Sequence, residues 1–580
     1  MTTSDNPSEN PILADEPGGS DPAQKVPNKE RSVARSAGIV SIAVMISRVF
    51  GLVREMVFSR LFGAGYLFDA YIVGFRIPNL LRDLFAEGAL SVAFVKVFTD
   101  YQVNVSEKEA WRLAALIFNG LAVVLSALVV VGILGAPYYV PYLAYGFPPE
   151  KAALAVTLTQ IMFPFILFIA LAAVAMGVLN TKGRFAIPAS ASTAFNIVSI
   201  IVGVSIAYWI SGGGWNMPSD PGDIPEMPAQ WAIIGMSVGT LFGGLSQILI
   251  QVPSLIGVGF RFRPLISFTD KGVRRVMRLM GPAIIGTSAV QVKVMVDTFM
   301  VSGIEGGNSW LPYAFRLMQF PIGVFGVAIG VASLPTLARL GSENKIGEFR
   351  STLSSSLGLV FFMTIPSACG LIILGRPIIS LIYEGGAFNF LDTNMTAWAL
   401  AAYSVGLAGY AAIKVLSPSF YALEDAKTPM YVSLASIAVH VFFSYTLLNV
   451  FSGIAVDPSR PNGLGHVGVA LATSIVAMIN FLALLILMRR KIQRIELRKI
   501  LDSFVRIALA SAVMSAVAWL TYSWLANGTG YGSNTLGTRL LHALVPVFAG
   551  AVVFFVMAKL LRVRELDQML RIFMKRFGRT

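Results

Sequence analysis

The chain has 580 residues, 55% of them hydrophobic and 13% charged, with a mean hydropathy of +0.70, which is too apolar for a soluble domain of this length and places it in a bilayer. Its net charge of +14 raises nucleic acid as a partner only until the positions of the cations are read. The single cysteine, Cys369, lies in an apolar run, so an intramolecular disulfide is excluded and no thiol or metal motif is present.

Residues 1–34 are rich in Pro, Ser, Asp, Glu and Lys without an apolar core, which predicts a disordered cytoplasmic tail rather than a signal peptide. From Ser36 to Leu561 apolar stretches recur, each of about 20 residues or more, the length that crosses a ~30 Å hydrocarbon core. Backbone groups in lipid must pair internally, so the stretches are read as helices. About fourteen are expected, at 36–59, 66–99, 113–142, 151–181, 186–211, 229–257, 277–304, 309–338, 352–383, 393–421, 429–451, 464–488, 503–526 and 539–561. The fold class expected is therefore an all-α polytopic membrane protein.

Of the 45 Lys and Arg, 33 fall in the tail, the C-terminus and the connections after even-numbered spans, among them Arg261, Arg263, Lys271, Arg274, Arg275 and Arg278. Five (Arg60, Lys151, Arg376, Arg460, Arg539) fall at the opposite ends. This asymmetry is the positive-inside pattern, and it predicts cytoplasmic termini. Nucleic-acid binding is then not needed to explain the charge.

The stretches "LNTKGRFAIP" after span 4 and "YALEDAKTP" after span 10 place Pro188 and Pro429 241 residues apart. Phe75-Arg76 and Phe315-Arg316 share nearly that offset, as do Gly88 with Gly330 and Ser91 with Ser333. A repeat of six spans is even in number, so its two copies run in the same direction, the parallel-repeat plan of transporters with a site between two lobes. The expected division is a tail at 1–34, an N-lobe at 35–260 (spans 1–6), a C-lobe at 261–490 (spans 7–12), and spans 13–14 with the C-terminus at 491–580.

Seven cations remain inside the spans: Arg48, Arg54, Arg76, Arg82, Lys293, Arg316 and Lys414. Five acids accompany them: Glu55, Asp69, Asp83, Glu87 and Asp297. At ~2.5–3.5 kcal/mol per unpaired charge at a helix centre, four such arginines facing lipid would cost on the order of 10 kcal/mol. They are expected to face a hydrated cavity or one another. Asp69 with Arg76, seven apart, and Lys293 with Asp297, four apart, are candidate internal pairs. The excess of cations calls for an anion, and the planar forks of Arg48, Arg54, Arg82 and Arg316 suit a diphosphate. Pro78, Gly88, Pro282, Pro312 and Pro321 mark sites where helices are expected to bend, either lining a cavity or as packing kinks.

The motifs "ISRVFGLVRE", "FGAGYLFDAYIVGFRIPNLLRDLFAEGALSVAFV" and "FRLMQFPIGVFGVAIGVASLPTL" closely resemble those of the MviN/MurJ family of lipid II flippases, in the superfamily that includes MATE-type exporters. The resemblance runs from about residue 36 to the end. It implies two MATE-like six-helix lobes plus two extra C-terminal helices, in a transporter that moves the undecaprenyl-pyrophosphate-linked peptidoglycan precursor, lipid II, from the inner to the outer leaflet of the bacterial cytoplasmic membrane. It implies substrate-binding roles for Arg48, Arg54, Arg82 and Arg316, with Asp69 and Glu87 as cavity acids, and a groove beside spans 13 and 14 for the lipid tail. Some relatives have an acid before the span 8 arginine, where this chain has Phe315, and a second basic residue after the span 2 arginine, where it has Asp83. Some members also hold sodium between spans 7 and 11; Asp297 matches one ligand, but span 11 offers His440 and Ser444 and no carboxylate, so a metal site is not expected and monovalent cation coupling is left open.

No cofactor is expected. The chain lacks a Walker-type loop, so the membrane potential, ~2.3 kcal/mol per charge per 100 mV, is the expected drive. The alternatives are a MATE-like drug or O-antigen lipid exporter, disfavoured by a net basic cavity, and an integral membrane polyprenyl-dependent enzyme, disfavoured because His440, His466 and His542 are scattered and form no acid, base or metal constellation. The expected partners are lipid II and membrane lipids.

Overall fold

The computed structural model describes residues 26–84, 89–218, 223–454, 463–494, 497–529 and 535–569. Regular structure among them is helical, with a single isolated bridge, Gly385 to Phe388. The helices are α1 (Val26–Phe62), α2 (Tyr66–Arg82), α3 (Ala89–Asn104), α4 (Glu107–Leu143), α5 (Pro149–Met162), α6 (Phe165–Thr181), α7 (Ala186–Ile210), α8 (Met227–Leu249) and α9 (Val252–Gly257) in the first half. The second half holds α10 (Lys271–Met300), α11 (Gly307–Pro321), a π-helical turn (Ile322–Val327), α12 (Ala328–Ser342), α13 (Ile346–Ile382), α14 (Phe390–Val405), α15 (Leu407–Tyr421), α16 (Lys427–Ser452) and α17 (Gly465–Lys491). Two more, α18 (Leu497–Thr529) and α19 (Leu536–Leu560), pack against each other and against α13.

Every apolar stretch expected from the sequence falls on one of these helices or on a broken pair. By length and composition ten of them are fit to cross a membrane, or eleven if α14 and α15, bent by 44°, count as one. Among the described residues, length and composition alone thus mark ten or eleven of the fourteen crossings expected. The stretches that fail are α1, the α2–α3 pair and α10, which carry most of the intramembrane charges.

Local chemistry sets the helix ends. Ser106 accepts a hydrogen bond from Glu109 N at the start of α4, and Asn389 with Asp392 forms a capping box on α14. Pro164 separates α5 from α6 because its ring cannot continue the hydrogen-bond ladder. The internal offset has a structural echo: the break at Pro164 answers that at Gly406, and the π geometry of residues 83 and 84 answers the π turn at 322–327. Pro188 and Pro429 are each the third residue of their helix, α7 and α16. Pro78 lies inside α2, which is not broken there. Gly88 is outside the described residues.

The halves are packed around three main apolar clusters. One joins them at the end where α1 closes and α2 and α11 open, with Phe68 stacked on Tyr313 at 5.1 Å and Tyr313 against Tyr383 at 4.8 Å. A second ties the second half to α18 and α19. The third lies at the opposite end, among α3, α4, α6 and the start of α10. Within the first half, α7 and α8 touch so closely that a Cβ on Gly239 would sit 2.3 Å from Gly203 Cα.

Candidate functional site

The charged residues expected to act together sit where α1, α2, α10 and α11 face one another. Arg316 of α11 meets Glu55 of α1 across the two halves: Nη2 lies 2.6 Å and Nε 2.7 Å from Oε1, while Tyr383 donates its hydroxyl to Oε2 at 3.3 Å. The Arg316 side chain is still 54% exposed against 14% for Glu55, so the pair borders open space. Arg82, the last residue of α2, lies 2.7 Å from Asp83, whose other oxygen accepts from Gln291 Nε2 of α10 at 2.7 Å.

Arg48 and Arg54 differ. Arg48 is exposed, and its guanidinium lies against the π turn: a Cβ on Gly323 would come 2.7 Å from Nη1. Glycine there allows the arginine of the first half to reach the backbone of the second. Arg54 sits 4.9 Å from the Phe195 ring centroid, with its Nε buried and without a hydrogen-bond partner. No carboxylate of the described residues lies within 4 Å of Arg48 or Arg54. A buried guanidinium nitrogen left unsatisfied is costly, and among the described residues Arg82 and Arg316 have a carboxylate partner whereas Arg48 and Arg54 do not.

Asp69 is not in this group. It is 0% exposed at the far end of α2, accepting from Lys151 Nζ at 3.0 Å, Gly306 N at 2.9 Å and Ser309 Oγ at 2.6 Å. Lys151, 1% exposed, also bonds Glu305 at 2.8 Å and sits 4.4 Å from the Phe147 ring centroid. Asp69 therefore fastens the first half to the second with no surface left for a ligand, and its expected pairing with Arg76 does not form. The reason is reach: Lys151, at the start of α5, presents an ammonium directly to the carboxylate, whereas Arg76 is two turns away with its own Nε buried and unpartnered. Glu87 lies outside the described residues.

The expected pair Lys293–Asp297 is also replaced. Asp297 Oδ1 lies 2.7 Å from Nε2 of His440, which is 3.3 Å from Ser444 Oγ, so α10 and α16 are joined by the side chains that stand where a third acid would be needed for a metal. Among the described residues no cluster of three or more His, Cys, Asp or Glu could hold a metal ion. Lys414 is exposed on α15. Glu305, Gln291, Ser309, Phe195 and Tyr383 of these contacts were not singled out from the sequence, and Lys151 was read only as a charge at the end of a span.

Comparison with known proteins fits this arrangement. The family model described as lipid II flippase MurJ matches residues 58–537. The chain belongs to the MurJ lipid II flippase family. A probable lipid II flippase MurJ of Vibrio cholerae is 33% identical over 520 residues, 87% of this chain and 93% of that one. A lipid II flippase MurJ of Burkholderia cenocepacia is 35% identical over 459 residues, covering 78% and 83%. Among solved structures, a lipid II flippase MurJ in an inward closed conformation superposes with a TM-score of 0.70 at 27% identity, covering 93% of this chain and 99% of that one. An inward-facing MATE-family multidrug transporter reaches 0.62 at 13% identity, which marks a shared fold. Membership in the MurJ family agrees with a polytopic helical chain whose charged side chains gather between two halves.

Proposed function

We propose that this chain carries lipid II from the inner to the outer leaflet of the bacterial cytoplasmic membrane by alternating access, with Arg48, Arg54, Arg82 and Arg316 receiving the diphosphate. The observation that carries the reading is that, among the described residues, Arg48 and Arg54 have no carboxylate partner beside the π turn and Phe195, while Arg82 and Arg316 are already held by Asp83 and Glu55. A diphosphate brings the two charges the first pair lacks. The second pair is positioned by its acids and joins the ligand by exchanging partners.

Both termini are placed in the cytoplasm by the positive-inside pattern, with 35–260 and 261–490 as the moving lobes. On that orientation the Asp69–Lys151–Glu305 network closes the outer end and must dissolve before the head group can leave. Movement of an anion outward is favoured by a membrane potential negative inside. Coupling to sodium is not part of the proposal, because Asp297 is engaged by His440.

The test is rescue of cells depleted of their own lipid II flippase. Wild-type protein restores growth and outer-leaflet precursor, and Arg48→Ala and Arg54→Ala at normal abundance do not. Full rescue by either variant overturns the assignment.

A further inference from the structure

The segment joining α9 to α10, "VGFRFRPLISFTDKGVRR", is built unlike an ordinary loop. Its inner side is pinned: Phe260 is buried against Trp111 and Phe118 at 6.2 and 5.9 Å between ring centroids, Leu265 packs on the same cluster, and the Asn119 amide of α4 donates to the carbonyls of Arg263 and Leu265. Held this way, the segment turns Phe262, Ile266 and Phe268 outward at 68, 55 and 45% exposure. Arg261, Arg263, Lys271, Arg274 and Arg278 are exposed beside them, and Met277 follows at 48%. The one acid between Gly257 and Lys293 is Asp270, which is spent capping α10 through Gly272 N and Val273 N. Arg275, the remaining cation, is paired with Asp100 of α3.

Topology needs cations on this side of the bilayer, but it does not need aromatic and aliphatic side chains interleaved with them and exposed. A protein surface in water rarely shows such a strip. A lipid interface suits it, since rings enter the acyl boundary while guanidinium groups lie level with phosphates. We propose that residues 261–278 form a docking strip for anionic phospholipid, which fixes the hinge between the two halves to the bilayer surface. The charge decides the lipid class: five exposed cations, none of them in an ion pair among the described residues, select acidic over zwitterionic head groups, each cation near the surface being worth about a fivefold preference. Because the strip connects α9 to α10, its attachment sets how freely one half rocks against the other. The inference concerns neither the transported lipid nor its central arginines.

The test uses the full chain with Cys369→Ser and Ser267→Cys, labelled at position 267 with an environment-sensitive fluorophore and reconstituted in vesicles. In phosphatidylcholine containing 30% phosphatidylglycerol the emission shifts to the blue and is quenched by lipids brominated on the upper acyl chain. In phosphatidylcholine alone, quenching falls at least threefold. Adding Arg261→Gln and Arg263→Gln, with a wild-type elution profile confirming the fold, narrows the difference between the two lipids, and Phe262→Ser lowers quenching in both. Equal quenching in both vesicles, or a water-like emission that neither lipid changes, overturns the proposal. An unaltered lipid preference in the double arginine variant does so as well, since the selectivity would then lie elsewhere.

Discussion

Replacing Lys151 with Met isolates the contact that fastens the two halves. The ammonium joins Asp69 to Glu305, and its loss removes the cation from the buried Asp69 carboxylate. The two acids do not suffer equally. Glu305, 28% exposed, turns to water at little cost, whereas Asp69, at 0%, keeps only the donors Gly306 N and Ser309 Oγ. Removing one partner of a buried pair costs ~3–5 kcal/mol, and the lower figure applies with two donors retained. Because Asp69 and Lys151 belong to the first half and Glu305, Gly306 and Ser309 to the second, ~3 kcal/mol is lost from the closed arrangement of this end. That is about a 150-fold shift toward opening. Asn308 reports it: the side chain is 1% exposed and its amide atoms have no partner, so Asn308→Cys in a Cys369→Ser background breaks no hydrogen bond. A bulky, membrane-impermeant thiol reagent labels this cysteine slowly in the parent and at least tenfold faster with Lys151→Met. Asp69→Asn added to Lys151→Met removes the stranded charge and brings the rate back toward the parent. Labelling within twofold of the parent in Lys151→Met, with an unchanged Tm, refutes the reasoning.

Arg54→Met removes a buried guanidinium whose Nε has no partner, so the variant is expected to unfold no earlier than wild type while losing transport; a lower Tm in detergent contradicts it. Gly323→Ala places a methyl 2.7 Å from Arg48 Nη1 and pushes aside the free end of a flexible side chain, so transport is expected to fall at least tenfold at nearly unchanged stability, read by precursor exposure and by thermal melting. Asp425, in the connection between α15 and α16, is held down at about 2 by the Lys491 ammonium and the Thr428 amide. Since its folded value is depressed, it contributes stability above the ordinary carboxylate value of ~3.9, lost as pH falls from about 4 through 2. After discount for its exposed setting this is ~1 kcal/mol. Asp425→Asn is expected to lower Tm at pH 7 but not at pH 2, and an equal loss at both contradicts it. Transport by wild type and Asp297→Asn is expected to be equally indifferent to sodium at fixed potential, measured by flipping in vesicles; a sodium dependence lost in the variant would restore an ion site.

That charged side chains meet between helices of the two halves was readable from the sequence because the energy of charge in lipid is large and does not depend on which neighbour a helix finds. Arg48, Arg54, Arg82 and Arg316 were among the seven cations that stood out on cost. Pairing was not readable in the same way. Helical spacing suggested Asp69 with Arg76 and Lys293 with Asp297, but both acids found partners on other helices, Lys151 lying 82 residues and His440 143 residues away in sequence. Same-face neighbours in a helix compete with every side chain that tertiary packing brings near, and one ammonium at contact distance outweighs an arginine two turns off. The repeat was legible as an offset and proved to be one of backbone shape, since the two halves break at Pro164 and Gly406.

The second set of breaks bears most directly on the site. Residues 83–84 and 322–327 leave α-helical geometry at nearly the repeat offset, one immediately after Arg82 and the other six residues after Arg316. A π turn widens the helix and loosens its hydrogen-bond ladder, which inside a bilayer is tolerated where the segment faces protein or water and not lipid. Gly323 lies in one of these turns with the Arg48 guanidinium against it. Had the turn faced lipid, both its strained carbonyls and that arginine would be exposed to hydrocarbon, a cost on the order of 10 kcal/mol with no compensating contact. The turn and the cation explain each other only if a polar space lies between the halves. Restoring a regular helix there by deleting one residue of 322–327 would rotate Arg316 relative to α12 by about 100°, separating it either from Glu55 or from the packing of α12 on α13. Loss of transport with retained folding in such a deletion would show that the turn serves the site, and wild-type transport would show that it does not.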